Sequence, residues 1–266
     1  MALLASLVFV FIAGLITALA TGLGAIPFFL VDDVSDRVNV VLWGVASGIM
    51  VAASLFGLVD EGLANGTPTE LGIGVVIGVV LVIVSHEVLE GYDFDAEELA
   101  TADGRKMVLI LGILTVHSFP EGVAIGVSFG EMGLTGGIDI LGFAVPVLAV
   151  FMTIAISIHN IPEGLAISIP LRAMGANPSR MVGYAVLSSI PQPIGAVLAF
   201  MFVRIAQEFL AIGFGFAAGA MVYLVVSEFV PEALESGASL PNRGYPEFVG
   251  GTLAGAIAMV PLLLVT

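Results

Sequence analysis

The 266-residue chain contains no cysteine. Disulfides, thiolate metal sites and thiol catalysis are thereby excluded, and any metal site must use imidazole, carboxylate, amide, hydroxyl or backbone oxygen. Charge is scarce as well: 11% of residues are charged, against about a quarter in a soluble domain. Only 7 of the charges are basic against 22 acidic, a net of −15, which is unsuited to nucleic acid or anionic lipid and suits cation partners or a high-salt cytoplasm. No basic segment precedes the opening apolar run, so the stretch from MALLASLVFV to about Leu30 reads as a first span rather than a cleaved leader. The metallopeptidase pattern HExxH is missing too, because His86-Glu87 is followed by Val88-Leu89-Glu90.

What remains is apolar. Hydrophobic residues make up 59% of the chain and mean hydropathy is +1.13. A membrane-crossing helix needs roughly 20 apolar residues, so about eight spans with short links consume nearly the whole length. Breaks at polar and Gly/Pro positions place them near 3–30, 38–59, 70–91, 105–130, 142–170, 180–204, 208–230 and 247–265. The expected fold is an all-α integral membrane protein of eight transmembrane helices, a single domain over 1–266. With both termini outside, Arg37, Arg105, Lys106, Arg172, Arg180 and Arg243 fall on the cytoplasmic side and only Arg204 on the other. That distribution sets the orientation, with extracytoplasmic termini and a cytoplasmic acidic loop from Gly91 to Arg105.

Ionisable groups inside a bilayer are costly and are read as functional by default. The fourth span carries His117-Ser118-Phe119-Pro120-Glu121-Gly122, and the fifth carries His159-Asn160-Ile161-Pro162-Glu163-Gly164. Helix positions four apart share a face, about 40° out of line, so His117 with Glu121 and His159 with Glu163 each make a nitrogen–oxygen pair. Ser118 and Asn160 flank those faces. Each proline removes a backbone donor and loosens the carbonyls of Val116 and Ile158. The glycine after each glutamate lets a neighbouring helix come close. Two imidazoles and two carboxylates meeting at mid-membrane are a suitable first shell for Zn²⁺. The bland alternative is that these groups only hydrogen-bond across the bundle, which one motif would leave open and two copies argue against.

With these motifs the chain resembles the ZIP family of metal transporters, particularly its GufA-like prokaryotic branch. TGLGAIPFF, ASGIMVAASLFG, SSIPQPIGA and FAAGAMVYLVVSEFVPEA extend the resemblance over nearly the whole length. It implies a ZIP-like bundle in the plasma membrane that imports divalent ions. Zn²⁺ is the first expected substrate, with Fe²⁺, Mn²⁺ and Cd²⁺ as other cargo; the partners are the ions and the lipid bilayer, and a homodimer is left open. His117, Glu121, His159 and Glu163 would form the primary site, and Ser118, Asn160 and Gln192 would stand where many relatives bind a second metal. Relatives often have Asn in place of Ser118 and Glu in place of Gln192, so one ion shared by Glu121 and Glu163 is expected here. The resemblance also groups spans one, four, five and six against two, three, seven and eight.

Other polar positions divide. Glu228, with Glu232 one turn on, is read as an exit relay, although some relatives carry His where this chain has Ser227. His86 and Glu87, near the same end of span three as Glu90, are read as an ordinary hydrated helix end. Asp93, Asp95, Glu97, Glu98 and Asp103 are read as a solvated loop without the histidines that eukaryotic relatives often have there. Met50 is either a hydrophobic gate or simple packing. No nucleotide-binding motif is visible, so the metal gradient or membrane potential would drive transport, and no enzyme activity is expected. The alternative is an intramembrane zinc-dependent hydrolase holding zinc on the same histidines and glutamates.

Overall fold

The computed structural model describes residues 2–31, 34–91, 115, 117–133 and 137–263. The chain runs through α1 (Ala2–Leu23), α2 (Asp36–Asn65), α3 (Pro68–Gly91), α4 (117–128), a short hairpin, α5 (Val147–Ala173), α6 (Pro178–Ile205), α7 (Gln207–Ser236) and α8 (Tyr245–Leu263). Among the described residues, α1, α2, α3, α5, α6 and α7 are long and apolar enough to cross a membrane. The first part of the expected fourth span, the acids 93–103, Arg105, Lys106 and Val116 lie outside the described residues.

Polar residues set the helix starts. Ser35 accepts the Val38 N–H at the head of α2, and Asn177 accepts the Arg180 N–H ahead of Pro178 in α6. Thr67 and Glu70 form a reciprocal capping box on α3, in which Thr67 N–H donates to Glu70 Oε2 at 2.8 Å and Glu70 N–H to Thr67 Oγ1 at 3.3 Å. Two helices contain a π-helical turn, Ser54–Val59 in α2 and Val225–Phe229 in α7. α6 is jointed, with helical pieces Pro178–Ser188 and Pro191–Ile205.

The all-helical expectation needs one correction. Two strands, β1 (Ile138–Ile140) and β2 (Phe143–Val145), pair antiparallel, so the fifth helix starts at Val147 rather than 142. Leu141 and Gly142 both take positive φ, 54° and 82°, as a tight hairpin turn requires, and Asp139 Oδ1 accepts the Gly142 N–H at 3.2 Å. Pro146 then blocks helical continuation backwards. The first helix also ends early, at Leu23, and a 3-10 turn over Ile26–Phe29 takes up Pro27.

Close glycine contacts divide the bundle. A Cβ on Gly48 would strike the Thr252 carbonyl, clamping α2 to α8, and one on Gly78 would strike the Phe216 carbonyl, clamping α3 to α7. Trp43 of α2 and Phe229 of α7 join these pairs, with ring centroids 4.8 Å apart. α1, α4, α5 and α6 make a second set through the same kind of approach. Between the sets, the described glycine approaches meet side chains instead: Gly57 faces Phe151 and Leu148, and Gly213 faces Val127. Small residues hold helices together in lipid, where no hydrophobic force does so. The backbone-tight contacts therefore divide the helices into two bodies, which meet at the described glycines through side chains.

Candidate metal centre

α4 and α5 deliver the two repeated motifs. The expected glycine approaches occur in both: a Cβ on Gly122 would collide with the Gln192 carbonyl of α6, and one on Gly164 with the Thr21 carbonyl of α1. These contacts draw α6 and α1 against the glutamates one residue earlier.

Among the described residues, imidazole and carboxylate atoms lying within 4.8 Å of one another form two groups of three. Glu121, His159 and Glu163 make the first, all three essentially shielded from solvent. His159 Nε2 lies 3.0 Å from Glu121 Oε1. The other Glu121 oxygen accepts from Gln192 Nε2. Glu163 differs: neither of its oxygens has a hydrogen-bond partner among the described residues, nor does His159 Nδ1. A carboxylate buried without a partner is costly, and a dication beside it offsets that cost. Carboxylate oxygens and an imidazole nitrogen are a donor set that zinc accepts.

The second group is His86, His117 and Glu228. His86 Nε2 stands 3.2 Å from His117 Nε2 and 3.1 Å from Glu228 Oε1. His117 is buried, whereas the other two side chains are partly exposed. The four-ligand set expected from the repeat is thus divided. One imidazole and two carboxylates meet centrally, while His117 faces α3 and α7.

His86 is not the ordinary hydrated helix end expected from the sequence; Glu87, beside it, is exposed. The only sequence hint for His86 was an imidazole near the end of a helix rich in Val, Ile, Leu and Gly. Glu228 sits in the π turn of α7, the kind of helix irregularity that often lies at functional sites. Asn160 and Gln192 are buried beside the first group, Ser118 is buried on α4, and Met50 is buried in the apolar core.

The fold and these clusters define a class: a multi-pass helical membrane protein with carboxylate and imidazole groups gathered among its helices. The chain belongs to the ZIP zinc transporter family, in its GufA-like branch, and a profile of that family matches residues 85–262. It is 37% identical over 220 residues to a putative zinc transporter of Arabidopsis thaliana, covering 82% of this chain but only 33% of that longer protein. It is 30% identical over 241 residues to the zinc transporter GufA of Myxococcus xanthus, covering 85% and 89% of the two chains. The zinc transporter ZupT of Chlorobaculum parvum is 29% identical over 281 residues, with 97% and 99% covered.

Proposed function

We propose that the protein carries divalent metal ions, zinc first among them, across the plasma membrane into the cytoplasm. The observation that supports this most strongly is the buried Glu121–His159–Glu163 group with its unpartnered carboxylate. In this reading the chain makes eight spans with both termini outside. Fe²⁺, Mn²⁺ and Cd²⁺ are alternative cargo, since sites of nitrogen and oxygen ligands discriminate modestly. The hydrolase alternative gains nothing from the relatives, which are named as transporters.

The mechanism follows from where each group is mounted. Glu121, His159, Glu163 and Gln192 all belong to the α1/α4/α5/α6 body, so the central site travels as one piece. The second group straddles the seam, with His117 on that body and His86 and Glu228 on α3 and α7. A shift of one body past the other carries the central site between the two faces of the membrane, as alternating access requires. His117 offers the ion a ligand at the seam, and Glu228 and His86 receive it on the far side. Each ligand must be free of its proton to bind, so uptake weakens as the medium is acidified.

The direct test is zinc uptake into liposomes holding the purified protein, comparing wild type with the double variant His159→Ala, Glu163→Ala. Saturable uptake lost in the variant is the expected result. Wild-type protein that binds zinc stoichiometrically yet moves none would refute the transport reading.

A further inference from the structure

One buried polar network beside the central site is not used by this mechanism. It begins at Thr17 on α1. The Thr17 backbone carbonyl can only accept, and it takes a hydrogen bond from Asn160 Nδ2 at 2.8 Å, which fixes the orientation of the Asn160 amide. The same Nδ2 lies 3.1 Å from Gln192 Oε1, and the Thr17 hydroxyl donates to that oxygen at 2.7 Å. The hydroxyl has one proton and a second acceptor in reach, the Gly14 carbonyl at 2.8 Å, with the Gln192 contact the shorter. With its oxygen held by two donors, Gln192 must turn its NH₂ outward, and that group donates to Glu121 Oε2. Thr17, Asn160 and Gln192 are fully buried from bulk solvent.

The consequence falls on the ligand set. Glu121 has Oε2 already accepting from an amide and Oε1 turned to His159, which favours monodentate over bidentate binding of an ion. Glu163 keeps both oxygens. Zinc is satisfied by four ligands, whereas the oxygen-seeking Mn²⁺ favours six.

Building on the transport reading above, we propose that Thr17 is a specificity-determining positioning residue: through Gln192 it holds Glu121 monodentate and so favours Zn²⁺ over Mn²⁺. Thr17 touches no ion itself. Its hydroxyl acts two residues away, from a helix that contributes nothing to either cluster.

The test is Mn²⁺ competition against zinc, read both as uptake into liposomes and as equilibrium binding to the purified full-length protein. Thr17→Val keeps the shape and removes the donor. It should lower the Zn²⁺-over-Mn²⁺ preference about fivefold, the worth of one hydrogen bond, with zinc transport capacity retained. Thr17→Ser, which restores a hydroxyl, should recover the preference, a rescue that a packing role would not produce. Gln192→Leu, which frees the second Glu121 oxygen outright, should lower it further. An unchanged preference in Thr17→Val overturns the proposal whatever becomes of the Gln192 variant, as does equal loss in the Val and Ser variants. Zinc bound with wild-type preference but not transported refutes the transport reading alone, and the binding arm still decides the role of Thr17. Wild-type protein that binds no zinc overturns both.

Discussion

The two side-chain clusters use the same residue types and are built in opposite ways. The central one is mounted within a single body. Its helices touch backbone to backbone at Gly122 and Gly164, and Thr17, Asn160 and Gln192 hold its neighbours in place. The second cluster joins two bodies, drawing His117 from α4, His86 from α3 and Glu228 from α7, and part of it is exposed. Rigid support suits a site that must recognise an ion. A site straddling a seam is made and unmade when the seam slides, which suits a site that must release one. The duplicated motifs are therefore not placed alike: both glutamates lie in the central cluster, and only one histidine lies with them.

If that division holds, damage to the clusters should differ in kind. Glu163→Gln removes the charge of the carboxylate that has no hydrogen-bond partner among the described residues, and zinc uptake should fall on the order of 100-fold, comparable to or beyond the loss from a supporting metal-site residue. Uptake kinetics near wild type would remove the central cluster from consideration. His86→Ala should act more weakly, lowering maximal uptake about tenfold while the zinc concentration for half-maximal uptake stays near wild type, because the central site is untouched. A rise in that concentration matching the Glu163 variant would mean that the clusters act as one site, and the comparison would fail.

Much of this was legible before the fold was known. Hydropathy marks the helices because a bilayer leaves a chain few other ways to satisfy its backbone. The repeated HxxPEG pattern led to Glu121, His159 and Glu163, since imidazole and carboxylate on apolar helices have few bland explanations. The fate of His117 was not legible. Four residues along a helix leave it about 40° and about 6 Å from Glu121, enough to face a different pair of neighbours, and sequence does not give the rotation of α4 about its axis. His86 was missed because it lies with Ser85, Glu87 and Glu90 near a helix end, where polar groups are ordinary, and its neighbours His117 and Glu228 are 31 and 142 positions away. Thr17 looked like any small residue of an apolar span until Asn160 and Gln192 were found against it. The hairpin was hidden because Ile-Asp-Ile-Leu-Gly-Phe-Ala-Val is as apolar as the helices on either side.

The smallest expected effects test the packing beneath the comparison. Gly164 of the central site lies against the Thr21 backbone, Gly213 at the seam lies against the Val127 side chain, and Gly72 on α3 has nothing within 4 Å of where a Cβ would stand. Alanine at Gly164 has to push α1 away from α5, since a carbonyl cannot rotate aside, and should cost about 1–3 kcal/mol of stability. At Gly213 a methyl group of valine can give way, so the cost should be smaller. At Gly72 alanine should be neutral or stabilising, because it replaces the residue with the largest backbone entropy to lose in a helix. Thermal unfolding of the three variants in one detergent should rank them in that order. Equal losses at Gly164 and Gly213 would mean that the seam is packed as rigidly as the site. In that case sliding of one body on the other would lose its structural basis, and the second cluster would be a fixed part of the bundle rather than a contact that comes and goes.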